Sequence, residues 1–158
     1  MRRIVSVVCP SFALWAQPHP GNVQEPQPWV LTVEQRNLVL VHDANPAART
    51  AGAMLGQPLT DARALVPGLR SMNADTACSA RAWHQLAHWL TRYTPMVALD
   101  PANAPMDMGG TAGFLLDVSG CAHLFGGEPG LLQDMVDRLQ SRGLPIRAAM
   151  ADTPLAAW

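Results

Sequence analysis

MVALDPANAPMDMGGTAGFLLDV, residues 96–118, carries the pattern on which the fold turns. Two short apolar runs, 96–100 and 113–118, flank a stretch rich in proline, glycine and asparagine at 101–111. That combination predicts two strands joined by a hairpin loop. Upstream, residues 79–93 place Ala80, Trp83, Leu86, Ala87, Leu90 and Tyr93 on one helical face. Downstream, a second helix over 129–142 begins at Pro129 and aligns Leu131, Leu132, Met135, Val136 and Leu139. Asp134 and Arg138, four apart on its outer side, form a helix-supporting pair. PIRAAMA (145–151) reads as a last strand, and Asp152 or Thr153 before Pro154 caps a closing helix. RIVSVVC (3–9) is a continuous β-branched run and so a central strand. Setting 10–77 aside leaves the order βαββαβ, an α+β, ferredoxin-like sheet with two helices on one face.

The expected division follows: residues 1–10 and 78–158 form the ferredoxin-like domain, and 11–77 form a small α+β lobe inserted after the first strand. Within that lobe, 16–28 holds four prolines and a glycine and reads as loop. WVLTVE (29–34) and NLVLVHD (37–43) read as strands joined by a tight polar connection. Asn45 caps a short helix with Pro46 at its first position, and LTDARALVPG (59–68) is a second, capped by Thr60 and stopped at Pro67-Gly68.

Composition restricts the chemistry. In 158 residues nearly half are apolar, which predicts a packed core. The net charge of -1 lacks the basic surplus of most nucleic-acid binders. All eleven basic residues are arginine, so no Schiff-base lysine and no Walker A lysine is available. Cys9, Cys78 and Cys121 are scattered without CxxC spacing and read as reduced thiols of a cytoplasmic protein. The first apolar run is too short for a signal peptide or a membrane span.

The local constellations favour structural readings. His84 and His88 lie four apart but lack an HExxH frame, and read as solvated or interfacial histidines. GGTAG (109–113) and FGGEPG (125–130) are turns, since no GxxxxGK[ST] unit exists. Cys121 and His123 are too close along an extended chain to serve as nucleophile and base. An RNA-recognition sheet would need stacking aromatics on its central strands, which here offer only Phe114. Asp100, Asp107 and Asp117 are expected near one end of the sheet, either as turn caps or as a metal site.

RYTPMVALD (92–100), LLDVSGCAHLFGGE (115–128) and IRAAMADTPLAAW (146–158) resemble the palm of ImuB-type proteins, bacterial homologues of Y-family DNA polymerases. ANPAARTAG (44–52) and GQPLTDARALVPGL (56–69) resemble the family's fingers, so the similarity covers nearly the whole chain. The resemblance implies a palm with a fingers insertion, and places the thumb and little finger outside this chain. Active members hold two magnesium ions with an aspartate on the first palm strand and an Asp-Glu pair on the central hairpin. Aligned on the motifs, those positions fall at Cys9 and at Ala112 and Gly113. None offers the oxygen that magnesium takes. The tyrosine that helps hold the triphosphate in active members falls at Pro46, while Arg49 remains, either as a vestigial phosphate contact or as a surface arginine. The resemblance thus implies a catalytically inactive protein without a cofactor, acting by binding in SOS-induced translesion synthesis. Its implied partners are an error-prone replicative-type polymerase, a RecA-like accessory protein and the sliding clamp, with only weak DNA binding by this segment. The alternative is an active nucleotidyltransferase holding magnesium through Asp100, Asp107 and Asp117.

Overall fold

A computed structural model of the chain describes residues 2–18 and 26–157. The first strand, β1 (Ile4–Cys9), is buried along nearly its whole length, as its β-branched run requires. It lies inside a four-stranded sheet with β5 (Val97–Leu99), β6 (Ala112–Asp117) and β7 (Arg147–Ala151), in the order β5-β6-β1-β7. Every neighbouring pair is antiparallel. α4 (Thr76–Leu90) and α5 (Glu128–Gln140) supply Trp83, Leu86, Leu90, Leu131, Met135 and Leu139 to one core with Val5, Val7, Phe114 and Leu116. Burying each large apolar side chain contributes roughly 1.5–3 kcal/mol, so this core carries the fold. α6 (Pro154–Ala157) packs on β1 and β7. This is the split βαβ arrangement the periodicity predicts.

The second sheet has the order β3-β2-β4. β2 (Trp29–Gln35) and β3 (Leu38–Ala44) are antiparallel and turn at Arg36 and Asn37, both with positive φ. Two consecutive left-handed residues make a hairpin turn whose twist matches that of the strands. α2 (Pro46–Thr50) starts as expected, with the Asn45 carboxamide accepting from the Ala48 N–H at 2.9 Å. α3 (Leu59–Leu65) does not follow its expected cap: Pro58 holds that position, and the Thr60 hydroxyl instead donates to Asp61.

Two elements escape the sequence reading. α1 (Phe12–Ala16) is too short for periodicity and begins at Ser11 in the left-handed region with no side-chain cap. It falls just before and at the start of the stretch expected to be loop; residues 19–25 of that stretch lie outside the described residues. β4 (Arg70–Asn73) contains no β-branched or aromatic residue, and only its parallel pairing with β2 makes it a strand. α4 also begins three residues early, at Thr76, and is capped by Asp75, whose carboxylate accepts from the Cys78 N–H. Among the described residues no helix is long and apolar enough to cross a membrane.

The hairpin loop at 101–111 opens with a 3-10 turn at Pro101–Asn103 and then docks on the second sheet. The Gly109 N–H donates to the His42 carbonyl at 2.8 Å, and the Ala13 N–H donates to the Gly110 carbonyl at 2.8 Å. A ring nitrogen of buried His42 lies 3.3 Å from the Pro105 carbonyl. The loop therefore ties the two sheets together beside the end of β1.

Candidate functional site

Cys9 closes β1 and pairs directly across from Ala112 at the start of β6; Val8 pairs with Gly113. The structure thus brings the three aligned strand positions to one corner of the sheet. Cys9 and Ala112 are both wholly buried and belong to the core beneath α4 and α5. Burial alone pushes the Cys9 thiol well above its ordinary value, so it is an inert, protonated core group.

Gly113 is enclosed. A Cβ there would lie 2.7 Å from the Asn103 Cβ and 2.9 Å from the Asp100 Cβ. Asp100 is held in that position: its carboxylate accepts from the Ala102 N–H and from the Asn103 amide at 2.8 Å, and its own N–H donates to the Gly113 carbonyl. Asp100 is therefore a turn cap, as one of its two readings proposes.

The three aspartates do not converge. Asp100 sits beside Gly113, and Asp107 is exposed on the docked loop. Asp117 is at the far end of β6, opposite Ile4, and the expectation of a common sheet end is corrected there. Its carboxylate is tied to the Ser119 hydroxyl and backbone N–H and lies 3.5 Å from Arg2, contacts that lower it from the ordinary carboxylate range. Strand length separates the aspartates: the five residue steps from Ala112 to Asp117 along β6 span roughly 16 Å. Among the described residues no three His, Cys, Asp or Glu side chains stand close enough to hold a metal ion.

Pro46 and Arg49 project from α2 into a cleft of about 420 Å³ that Pro10, Ser11, Ile146 and Arg147 also line. Arg49 is not a free surface side chain. Its Nε donates to the Ala44 carbonyl at 2.9 Å, and one terminal nitrogen lies 3.2 Å from an Asp43 carboxylate oxygen and 3.4 Å from the Ser11 hydroxyl. Asp43 is the residue that sequence reasoning missed. It is completely buried, and it accepts from the Leu14 and Ala44 N–H groups as well as from Arg49. Burial raises its carboxyl from the ordinary range against the pull of those three donors. Its only sequence signal is a lone acid at the end of an apolar strand, two residues before the Asn45 cap.

His84 and His88 are exposed, in keeping with the solvated reading. Gly109, Gly110, Gly126 and Gly127 all have positive φ, as turn glycines do. The Cys121 thiol points to the Ser119 carbonyl at 3.9 Å.

The model of the impB/mucB/samB family matches residues 22–158. The chain belongs to that family. Within it, the chain is 43% identical over 107 residues to the protein ImuB of Caulobacter vibrioides strain NA1000 / CB15N, and equally to ImuB of strain ATCC 19089 / CIP 103742 / CB 15. The match covers 68% of this chain and 21% of each relative, so the chain spans about a fifth of their length. Among solved structures, the insertion ternary complex of Dbh DNA polymerase superposes with a TM-score of 0.77 at 16% identity, over 98% of this chain and 44% of that one. DinB from Sulfolobus solfataricus gives 0.68 at 19% identity, over 98% and 43%. At these identities the likeness establishes the fold, the palm and fingers of Y-family polymerases. The family member described here is an ImuB-type Y-family polymerase homologue, with its four-stranded sheet as palm and its three-stranded sheet as fingers.

Proposed function

We propose that this chain is a catalytically inactive, polymerase-like part of an accessory protein that acts by binding in damage-induced, translesion DNA synthesis. The observation that carries the reading is the corner where β1 meets β6. Two-metal phosphoryl transfer needs carboxylates that bridge the ions and position the nucleotide phosphates. Cys9, Ala112 and Gly113 present a thiol, a methyl group and a hydrogen there, and none of these suits magnesium. Enclosure of Gly113 by Asp100 and Asn103 supports the same reading, because it removes the space a glutamate would occupy. Asp100, Asp107 and Asp117 fit the alternative poorly, being spread over both ends of β6 and a surface loop.

The kinship to ImuB supports a place in mutagenic DNA synthesis, with a replicative-type error-prone polymerase, a RecA-like protein and the sliding clamp as proposed partners in the cytoplasm. With no basic surplus and Arg49 engaged by Asp43, this segment contributes little phosphate binding of its own.

A mutation-frequency assay after ultraviolet damage tests the role. Deleting the gene is expected to abolish induced mutations, while Asp107→Ala and Asp117→Ala at normal protein levels keep them within about twofold of wild type, as ordinary surface changes do. Induced mutation falling to the deletion level in Asp107→Ala would overturn the proposal.

A further inference from the structure

Trp89, near the end of α4, has two guanidinium groups against its ring: Arg92 at 4.5 Å and Arg142 at 4.7 Å from the centroid. Both arginines are exposed, and among the described residues neither has a carboxylate within 4.0 Å. The acid whose field reaches Arg92 is Asp134, which is already committed to Arg138 at 2.8 Å and to the Tyr93 hydroxyl at 2.8 Å. Two like charges are thus fixed on one ring with no carboxylate in contact among the described residues. Stacking holds each by about 0.5–1 kcal/mol and leaves the N–H forks free to donate.

Beside them is an open depression of about 230 Å³, lined by Trp15, Ala82, Gln85, Leu86, Trp89 and Arg142. Its position is set by the Trp15 indole N–H, which donates to the Arg142 carbonyl at 3.0 Å. The exposed face of α4 adds Arg81, and the helix contains no Asp or Glu. An apolar depression rimmed by unpaired guanidinium forks, on a chain whose net charge is slightly negative, is a local device and not a consequence of bulk charge.

We infer that this face of the palm docks a partner peptide in which one aliphatic anchor is flanked by carboxylates. The anchor fills the depression over Leu86 and Ala82, and the carboxylates take the Arg92 and Arg142 forks, the geometry in which arginine binds carboxylate best. Single-stranded nucleic acid fits less well, since it needs open aromatic faces for its bases. Here Trp89 carries the guanidinium groups, and Trp15 packs on Phe12 with ring centroids 5.4 Å apart. The surface is separate from the β1–β6 corner, so it stands or falls independently of the catalytic reading.

Fluorescence anisotropy with the full chain tests the inference. The probes are a fluorescein-labelled peptide with a central leucine between aspartate pairs, the same peptide with a central glycine, and labelled oligothymidine. The leucine peptide is expected to bind, to weaken with salt, and to lose at least about tenfold in affinity to Arg92→Gln/Arg142→Gln, whose two exposed sites leave the fold intact. The glycine peptide is expected to bind several-fold more weakly. No binding of the leucine peptide, equal binding of the two peptides, equal binding to the double variant, or tighter binding of oligothymidine through the same arginines would each overturn it.

Discussion

Gly110→Ala is expected to lower the unfolding free energy by about 3 kcal/mol or more and the thermal midpoint by about 10 °C. Two causes add. Gly110 has φ +56, a region where an alanine is strained by roughly 1–2 kcal/mol. A Cβ there would also lie 2.6 Å from the Ala13 Cβ and 2.7 Å from an Asp43 carboxylate oxygen, both in fully buried surroundings. Neither neighbour can yield, because Ala13 donates to the Gly110 carbonyl and Asp43 is pinned by Leu14, Ala44 and Arg49. The damage should be local, since these bonds join palm to fingers: amide exchange at Ala13 and Gly109 should accelerate in a folded fraction while the β1–β6 ladder stays protected. Gly120→Ala supplies the control. It has the same left-handed strain, φ +77, but nothing within 4 Å of the added atom, so it should cost only about 1 kcal/mol. Equal losses in the two variants, measured by urea unfolding, would show that the loop does not grip the fingers.

Restoring carboxylates to the strand corner should be more damaging still. Cys9→Asp places an ionisable group at a wholly buried position walled by the core, at a cost of about 3–5 kcal/mol. Burial would raise that carboxyl above its unfolded value, so the native state would hold its proton more tightly. Stability contributed by that proton is present below the ordinary carboxyl range and is lost as pH rises. The variant should therefore be nearer to wild type at pH 4 than at pH 7.5. Adding Ala112→Asp and Gly113→Glu compounds the loss, since the glutamate stem would meet Asn103 and Asp100. Cys9→Ser, similar in size and uncharged, should cost far less, about 1–2 kcal/mol. Circular dichroism melts across pH check the series. A triple variant that melts like the wild type would mean that the corner has kept room for the acids.

The parts of this fold legible from sequence are those whose side chains repeat with the period of their element. Val5, Val7, Leu131, Met135 and Leu139 announce β1 and α5, and the Asn45–Pro46 start of α2 announces itself by cap chemistry. α1 and β4 were not legible, being too short or too polar for any period to show. The docking of the 101–111 loop was hidden for a different reason: its main bonds run backbone to backbone, from Gly109 to His42 and from Ala13 to Gly110, and these leave no residue-type signature. The corner itself was readable only through family resemblance, since nothing in a cysteine, an alanine and a glycine announces a site. Spacing along the chain does not reveal that Asp117 stands at the opposite end of β6 from Asp100, and Asp43, a buried acid closing an apolar strand, has the sequence signature of an ordinary strand end.

Primer extension by the purified protein, supplied with magnesium, a primed template and all four nucleotides, tests the central claim most directly. The account predicts no product beyond the primer, under conditions where an active Y-family polymerase extends it. Templated extension that disappears in Asp107→Ala or Asp117→Ala, with the fold unchanged, would contradict it and assign the chemistry to aspartates placed here as surface and turn residues.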